Sequence, residues 1–123
     1  MKYLGLAYFT PEKFAALAPE ERKKVVSQCP ELDEKMRATG KVLVSASLGD
    51  LDHWRTLRTR GGKKQVSDGP YIESKEVVGG LFIIEADSHE EALRIASMHP
   101  AAMIGEECDW AVELIPMDFY LAQ

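Results

Sequence analysis

Residues 81–100, LFIIEADSHEEALRIASMHP, contain a strand and a helix whose positions follow from the sequence alone. The apolar run Leu81–Ile84 is typical of a strand that is central in its sheet or covered on both sides. Ser88 and Glu91 fit a capping box, in which a hydroxyl and a carboxylate satisfy backbone N–H groups at the start of a helix. We expect this helix to run to about His99 and to be ended by Pro100.

The flanking sequence predicts five more strands. Alternating or continuous apolar residues mark three of them, and the pair Gly61-Gly62 predicts a tight turn that joins the other two as a hairpin. The predicted strands are 2–9, 42–48, 54–60, 63–66 and 110–114.

A second, longer helix is expected between the first two strands. Apolar side chains recur there at helical spacing, at Val25, Cys29, Leu32 and Met36, and Gly40 ends the pattern. Pro30 has no N–H to donate to the carbonyl of the preceding turn, so we expect a kink or two short helices meeting near Cys29.

This order of elements predicts an α+β fold of the ferredoxin-like type. Right-handed crossovers produce one antiparallel sheet with two helices on one face and an added hairpin. The other face of the sheet would stay bare, with apolar side chains such as Leu81 and Trp110 in sheet positions. We therefore expect a homodimer in which two such faces cover each other.

The length and net charge of the chain favour a single domain and argue against a nucleic-acid-binding or membrane-binding protein. The 123 residues suit a single domain, 1–123, and the net charge of −5 gives no general attraction for nucleic acid or anionic membranes. The apolar run Leu4–Phe9 is too short for a signal peptide or a membrane span, which predicts a cytoplasmic protein. Cys29 and Cys108 have no spacing typical of a disulfide framework or a metal site, so we expect neither a metal nor a cofactor.

The most informative motif is residues 67–80, SDGPYIESKEVVGG. It resembles the hallmark of the DGPF branch of the YCII-related family, Asp-Gly-Pro-aromatic-x-Glu-(Thr or Ser)-Lys-Glu-x-x-Gly-Gly, at every position from Asp68 to Gly80. Tyr71 stands for the usual Phe and Ser74 for Thr. The likeness also includes the first strand, the hairpin, the capped helix and the tail from His99 to Pro116, and thus nearly the whole chain.

The resemblance implies a ferredoxin-like subunit in a dimeric α/β barrel. Some members of the family are encoded near extracytoplasmic-function sigma factors, and the wider YCII group has an active site described around a His and an Asp. That His lies in the first helix of YCII proteins, where this sequence has none, so it does not carry over. Asp68 matches the motif.

Asp68 and His99 are the candidate catalytic residues. Asp68 is a base in a pocket between sheet and helices, with Glu73, Lys75 and Glu76 near enough to shift its pKa, or alternatively a turn-forming residue before Gly69. His99, at the carboxyl end of its helix, would have its charged form favoured by the helix dipole. The candidate ligand-binding residues are Arg58, Tyr71, Glu73, Lys75, Glu76, Gly79 and Gly80.

Two functions remain open. In the first, each half of a dimeric barrel binds a small anionic metabolite, Asp68 and His99 move protons in a lyase or isomerase type of reaction, and Arg58 or Lys75 holds the anion. In the second, the protein is a non-catalytic regulatory module, linked to extracytoplasmic-function sigma factors, whose basic hairpin binds a protein partner. A solvated edge that resists aggregation is the alternative interpretation of that hairpin.

Overall fold

The computed structural model describes all 123 residues and contains six strands, four helices and two short 3₁₀ turns. The strands are β1 (Lys2–Phe9), β2 (Val42–Ser47), β3 (Arg55–Arg60), β4 (Lys63–Asp68), β5 (Val77–Glu85) and β6 (Ala111–Pro116). The helices are α1 (Pro11–Ala16), α2 (Pro19–Arg37), α3 (His89–Ala96) and α4 (Pro100–Met103), and the 3₁₀ turns are Leu51–His53 and Glu106–Cys108.

Four strands form the main sheet, in the order β2-β5-β1-β6, and every neighbouring pair is antiparallel. Strands β3 and β4 form a separate two-stranded hairpin. If the hairpin is set aside, the sheet has the strand order of the ferredoxin-like fold. The predicted fold class is therefore confirmed, including the added hairpin.

The core lies between one face of the sheet and helices α2 and α3. Phe82 and Ile84 of β5 are fully buried there, against Met36 of α2 and Ile95 of α3. Gly5 makes room for the ring of Phe82 on the neighbouring strand, because a Cβ atom at Gly5 would lie 2.1 Å from that ring. Both long helices thus pack on the same face, as the sequence predicted.

The opposite face of the sheet has no helix over it. Alternation along β1 and β5 places Leu4, Leu6, Leu81 and Ile83 on this face, and all four stay partly exposed. We call it the open face. Only 17 of the 123 residues are buried, which is a small core for a chain of this length and leaves this apolar surface in contact with water.

Helix α2 and strand β5 differ from the sequence prediction. Helix α2 is continuous from Pro19 to Arg37, so a division into two helices at Pro30 is wrong. A single missing N–H group inside a 19-residue helix is outweighed by the remaining backbone bonds and by the packing of Val25 and Met36. Strand β5 begins at Val77 rather than Leu81, because β1 pairs with it as far as Val77.

Strand β2 alternates apolar and polar residues from Val44 to Ser47, and a register shift decides which of them face the helices. The register shifts between Val42 and Val44, and from there Ser45 is paired with Phe82 and Ser47 with Gly80. Since directly paired residues share a sheet face, the two serines face the helices and the apolar residues Val44 and Ala46 face the open side. A one-residue shift thus adds apolar area to the open face.

None of the helices is both long and apolar enough to cross a membrane.

Candidate functional site

A cavity of about 300 Å³ lies between the end of the main sheet and helices α2 and α4. Nine of the sixteen residues that line it are hydrophobic, and no lysine or arginine is among them. Its aromatic lining consists of Tyr8, Phe9, Phe14 and Trp110. Its polar lining includes Cys29, Asp33, Ser45, Ser47 and His99.

His99 is held rigidly in this cavity by two contacts. Its Nδ1 atom accepts a hydrogen bond from the backbone N–H of Ala101 at 3.0 Å, so the imidazole caps the amino terminus of α4. The ring stacks on Phe82 with 5.0 Å between the ring centroids and 23° between the planes. Because Nδ1 is occupied as an acceptor, Nε2 carries the proton of the neutral ring and is the nitrogen left for a ligand.

The sequence prediction for His99 was wrong in one respect. Helix α3 ends at Ala96, and His99 begins the next helix instead of ending the previous one. At a helix amino terminus the dipole does not favour a positive charge. Burial lowers the pKa of His99 below its ordinary value of 6.5, and the negative charge of Asp33 opposes this in part. The neutral imidazole is therefore the form present at neutral pH.

Asp33 and Cys29 reach the cavity from one face of α2. They are four residues apart, which places their side chains on successive turns of the same face. The Sγ atom of Cys29 donates to the carbonyl of Val25 at 3.7 Å. Burial, with a further contribution from the charge of Asp33, raises the pKa of the Cys29 thiol. Cys29 is thus a neutral lining residue rather than a thiolate nucleophile.

Two glycines form part of the cavity wall. Gly79 is the extra residue of a β-bulge, since β1 passes from Ala7, paired with Gly80, directly to Tyr8, paired with Val78. A Cβ atom at Gly80 would lie 2.9 Å from the backbone oxygen of Ala46. The glycine pair thus provides both a bulge and a close backbone approach, and both residues line the cavity.

Asp68 lies outside the cavity, at the end of strand β4. Its side chain is 92% exposed and its carboxylate pairs with the Nε atom of Arg55 at 3.1 Å. The expectation that Asp68 is a partly buried residue between sheet and helices is therefore wrong for this chain. The following Gly69 has a φ of 87° and donates its N–H to the carbonyl of Trp54, which closes the base of the hairpin. This is the turn geometry of the alternative interpretation.

The other predicted binding residues also lie on the hairpin or in the loop after it. The guanidinium of Arg58 stacks over the ring of Tyr71, with 5.5 Å to the centroid. Ser74 donates to the carboxylate of Glu76 at 3.1 Å. The remaining two, Glu73 and Lys75, are exposed. The structure thus brings together His99, Gly79 and Gly80 from the predicted set, and leaves the charged residues of the motif outside.

Sequence reasoning missed Asp33 and the two serines. The signal for Asp33 was its position four residues after Cys29, which belongs to the predicted apolar stripe of α2. For Ser45 and Ser47 there was no comparable signal, because the register shift in β2 reverses the faces that simple alternation indicates. No group of three or more His, Cys, Asp or Glu side chains is placed to hold a metal ion.

Comparison with known proteins identifies the family. The model of the YCII-related domain matches residues 1–116. The chain belongs to the YCII-related family. An uncharacterised protein of Rhizobium meliloti (strain 1021) is 32% identical to it over 96 residues, which cover 78% of this chain and 77% of that protein.

The fold of this YCII-related chain is also found in a solved enzyme. The structure of 5-chloro-2-hydroxyhydroquinone dehydrochlorinase (TftG) from Burkholderia phenoliruptrix AC1100, in complex with 2,5-dihydroxybenzoquinone, matches with a TM-score of 0.50 and 17% identity. The match covers 96% of this chain and 94% of the enzyme. At this identity the likeness shows a shared fold.

The resemblance to the YCII-related family implied a histidine in the first helix, and this chain departs from that pattern. His99 is the one histidine that lines the cavity, and it comes from the start of α4. The carboxylate that lines the same cavity, Asp33, comes from α2, and its charge acts on His99. One imidazole and one carboxylate thus line one cavity in this member of the family, contributed by two different helices.

Proposed function

We propose that the cavity binds a small, planar molecule with hydroxyl or carbonyl oxygens, and that Asp33 and His99 catalyse proton transfer on it in a lyase or isomerase type of reaction. The observation that carries the proposal is the presence of a carboxylate and a neutral imidazole in one largely apolar cavity. Such a pair can remove a proton and stabilise the negative charge that forms.

The role of His99 follows from its hydrogen bond, and that of Asp33 from its place in the cavity lining. Because the Nδ1 atom of His99 accepts from Ala101, its Nε2–H group is a hydrogen-bond donor. The Asp33 carboxylate takes a proton from the ligand, the electron pair moves onto a ligand oxygen, and Nε2–H stabilises that oxygen. Return of the pair forms a carbon–carbon double bond and expels a leaving group with its bonding electrons from the neighbouring carbon, and Asp33 then releases its proton to the leaving group or to water. Alternatively, no group leaves and the proton returns from Asp33 to another position of the ligand. The first outcome is an elimination and the second an isomerisation.

The lining favours a ligand that is uncharged or weakly acidic when it enters. Four aromatic side chains suit a flat, unsaturated ring, and no cationic side chain of this chain reaches the cavity. Arg58 and Lys75, the residues predicted to hold an anionic metabolite, lie outside. The cavity therefore suits a ligand that becomes negatively charged during the reaction better than one that is an anion when it binds. The dehydrochlorinase with the same fold was solved with a small oxygenated ring, which is consistent with this class of ligand.

The proposal includes a homodimer through the open face. Leu4, Leu6, Leu81 and Ile83 form an apolar surface that a second sheet would cover, giving the dimeric α/β barrel implied by the family resemblance. It also includes a cytoplasmic location, since both cysteines are free, as thiols remain in a reducing compartment.

Calorimetric titration with 2,5-dihydroxybenzoquinone tests the proposal. We expect binding to the wild-type chain and a loss of about tenfold or more in affinity for His99→Asn, since one buried hydrogen bond to a ligand oxygen contributes about 1.5 kcal/mol. Asn is a strong helix N-cap, so this variant keeps the acceptor for Ala101 while it removes the imidazole.

Asp68→Asn is the matched control, because it removes a carboxylate outside the cavity, and we expect wild-type affinity from it. Unchanged affinity in His99→Asn would remove His99 from the proposed site. If no oxygenated ring of this kind binds the wild-type chain, the alternative of a non-catalytic module that binds a protein partner is favoured instead.

A further inference from the structure

The hairpin of β3 and β4 is the part of the molecule that the proposed site leaves unused. Of its strand residues only Thr56 is partly buried, and all the others are exposed on both faces. An isolated two-stranded hairpin is marginally stable at best in water. This hairpin therefore lacks a surface to pack against within its own chain.

Its two faces differ in character. On one face Leu57 is paired with Val66, and these two apolar side chains are 63% and 62% exposed. On the other face Arg60 lies directly opposite Lys63, a like-charge pair that destabilises the hairpin. A partner that covers the first face would remove its apolar side chains from water. Negative charge brought to the second face would offset the repulsion between Arg60 and Lys63.

The charge distribution of the chain supplies such a partner. The hairpin, residues 55–68, has five basic side chains and one acidic side chain, while the whole chain has a net charge of −5. The remaining residues therefore carry −9. Two acidic bodies brought together through their open faces would repel each other, and a basic arm from each chain would offset that repulsion.

The base of the hairpin lies where such an arm is useful. Trp54, directly before β3, shares a second cleft with Leu48 and with Phe9 and Gly79, and the last two also line the main cavity. The hairpin thus starts from the end of the sheet at which the main cavity lies.

We propose that this hairpin is a dimerisation arm: in the homodimer it packs on the acidic body of a second copy of this chain, and the second copy's arm packs back in the same way. The inference rests on the homodimer proposed above and adds a second contact surface to it. Because a twofold axis relates the two chains, the same contact between an arm and a body occurs twice in the dimer.

The test combines charge reversal with cross-linking. In the double variant Arg58→Glu, Arg60→Glu we expect the dimer dissociation constant, measured by sedimentation equilibrium at low salt, to rise about tenfold or more. The matched control, Lys23→Glu with Lys24→Glu on the exposed side of α2, makes the same change in net charge and is expected to alter it less than about twofold. Raising the salt concentration should shrink the difference between the two variants.

A photoreactive benzoylphenylalanine in place of Leu57 provides the direct measurement. We expect a product of twice the chain mass whose cross-linked peptide belongs to the acidic body of the second copy. An unchanged dissociation constant in the Arg58 and Arg60 variant, or cross-links that stay within one chain or capture a different protein, would overturn the inference while the homodimer could stand. A wild-type chain that stays monomeric overturns both, and the titration of the cavity with 2,5-dihydroxybenzoquinone reports independently on the proposed ligand site.

Discussion

His99 illustrates how one hydrogen bond sets the chemistry of a side chain. The N–H of Ala101 occupies Nδ1, so the neutral ring presents Nε2–H as a donor. Stacking on Phe82 holds the plane of the ring, and burial keeps the ring neutral. A histidine at the carboxyl end of a helix, as the sequence indicated, would have been favoured in its charged form instead. The difference is a helix break of three residues after Ala96, too small to read from periodicity.

The lowered pKa of His99 predicts how stability depends on pH. The unfolded chain takes up a proton near the ordinary value of 6.5, whereas the folded chain resists it. The contribution of His99 to the free energy of unfolding should therefore be complete above about pH 6.5. It should be lost as the pH drops through the lower, folded-state pKa. In His99→Asn this loss should disappear. Urea denaturation at about pH 7.5 and about pH 5.5 measures both chains.

Glu85 does not contribute to the change in stability between these two pH values. The ammonium of Lys2, paired with this carboxylate at 3.3 Å, and a hydrogen bond from the chain amino terminus lower its pKa below the ordinary 4.5, so its contribution to stability is lost only at more acidic pH. An equal fall in stability for wild type and His99→Asn between the two pH values would contradict the assigned role of burial at His99.

The elements show which local patterns predict structure well. Ser88 caps α3 by accepting the N–H of Glu91 at 3.1 Å, and the Glu91 carboxylate accepts the N–H of Asp87 at 3.0 Å. The predicted capping box is confirmed in outline, with the carboxylate bonded one residue earlier than expected. Such a motif is readable because all its atoms lie within five residues of chain.

Removal of that cap gives a prediction at the scale of the element. Ser88→Ala should lower the free energy of unfolding by about 1 kcal/mol, because an N–H in the first turn of α3 loses its acceptor. Ser97→Ala is the matched control: its hydroxyl donates to the carbonyl of Arg94 on an exposed turn, so a smaller change is expected. Chemical denaturation measures both, and equal losses in the two variants would count against the capping role of Ser88.

At the scale of the whole molecule, the open face and the small core favour assembly. Leu6 lies on this face in β1, paired with Leu81 of β5. Leu6→Lys would bury an unpaired charge in the proposed dimer, at a cost of about 3 kcal/mol, and should weaken the dimer about a hundredfold.

Leu93→Lys places the same charge on the outer side of α3, where the leucine is 50% exposed, and should leave the dimer intact. Sedimentation equilibrium compares the two variants. A dimer that withstands Leu6→Lys would place the subunit contact elsewhere than on the open face.

The sequence by itself determined the strands and the capped helix, because these patterns lie within short stretches of chain. The order of these elements along the chain then favoured the ferredoxin-like sheet, since right-handed crossovers leave few arrangements. The sequence also indicated Gly79 and Gly80 as site residues, because the absence of a side chain at both positions is visible in the sequence itself. Only the tertiary structure decided the cavity, since Asp33, Ser45 and His99 come from three distant segments that the sheet order brings together. It also placed Asp68 on an exposed hairpin, because a motif records which residues recur and not which surface they face.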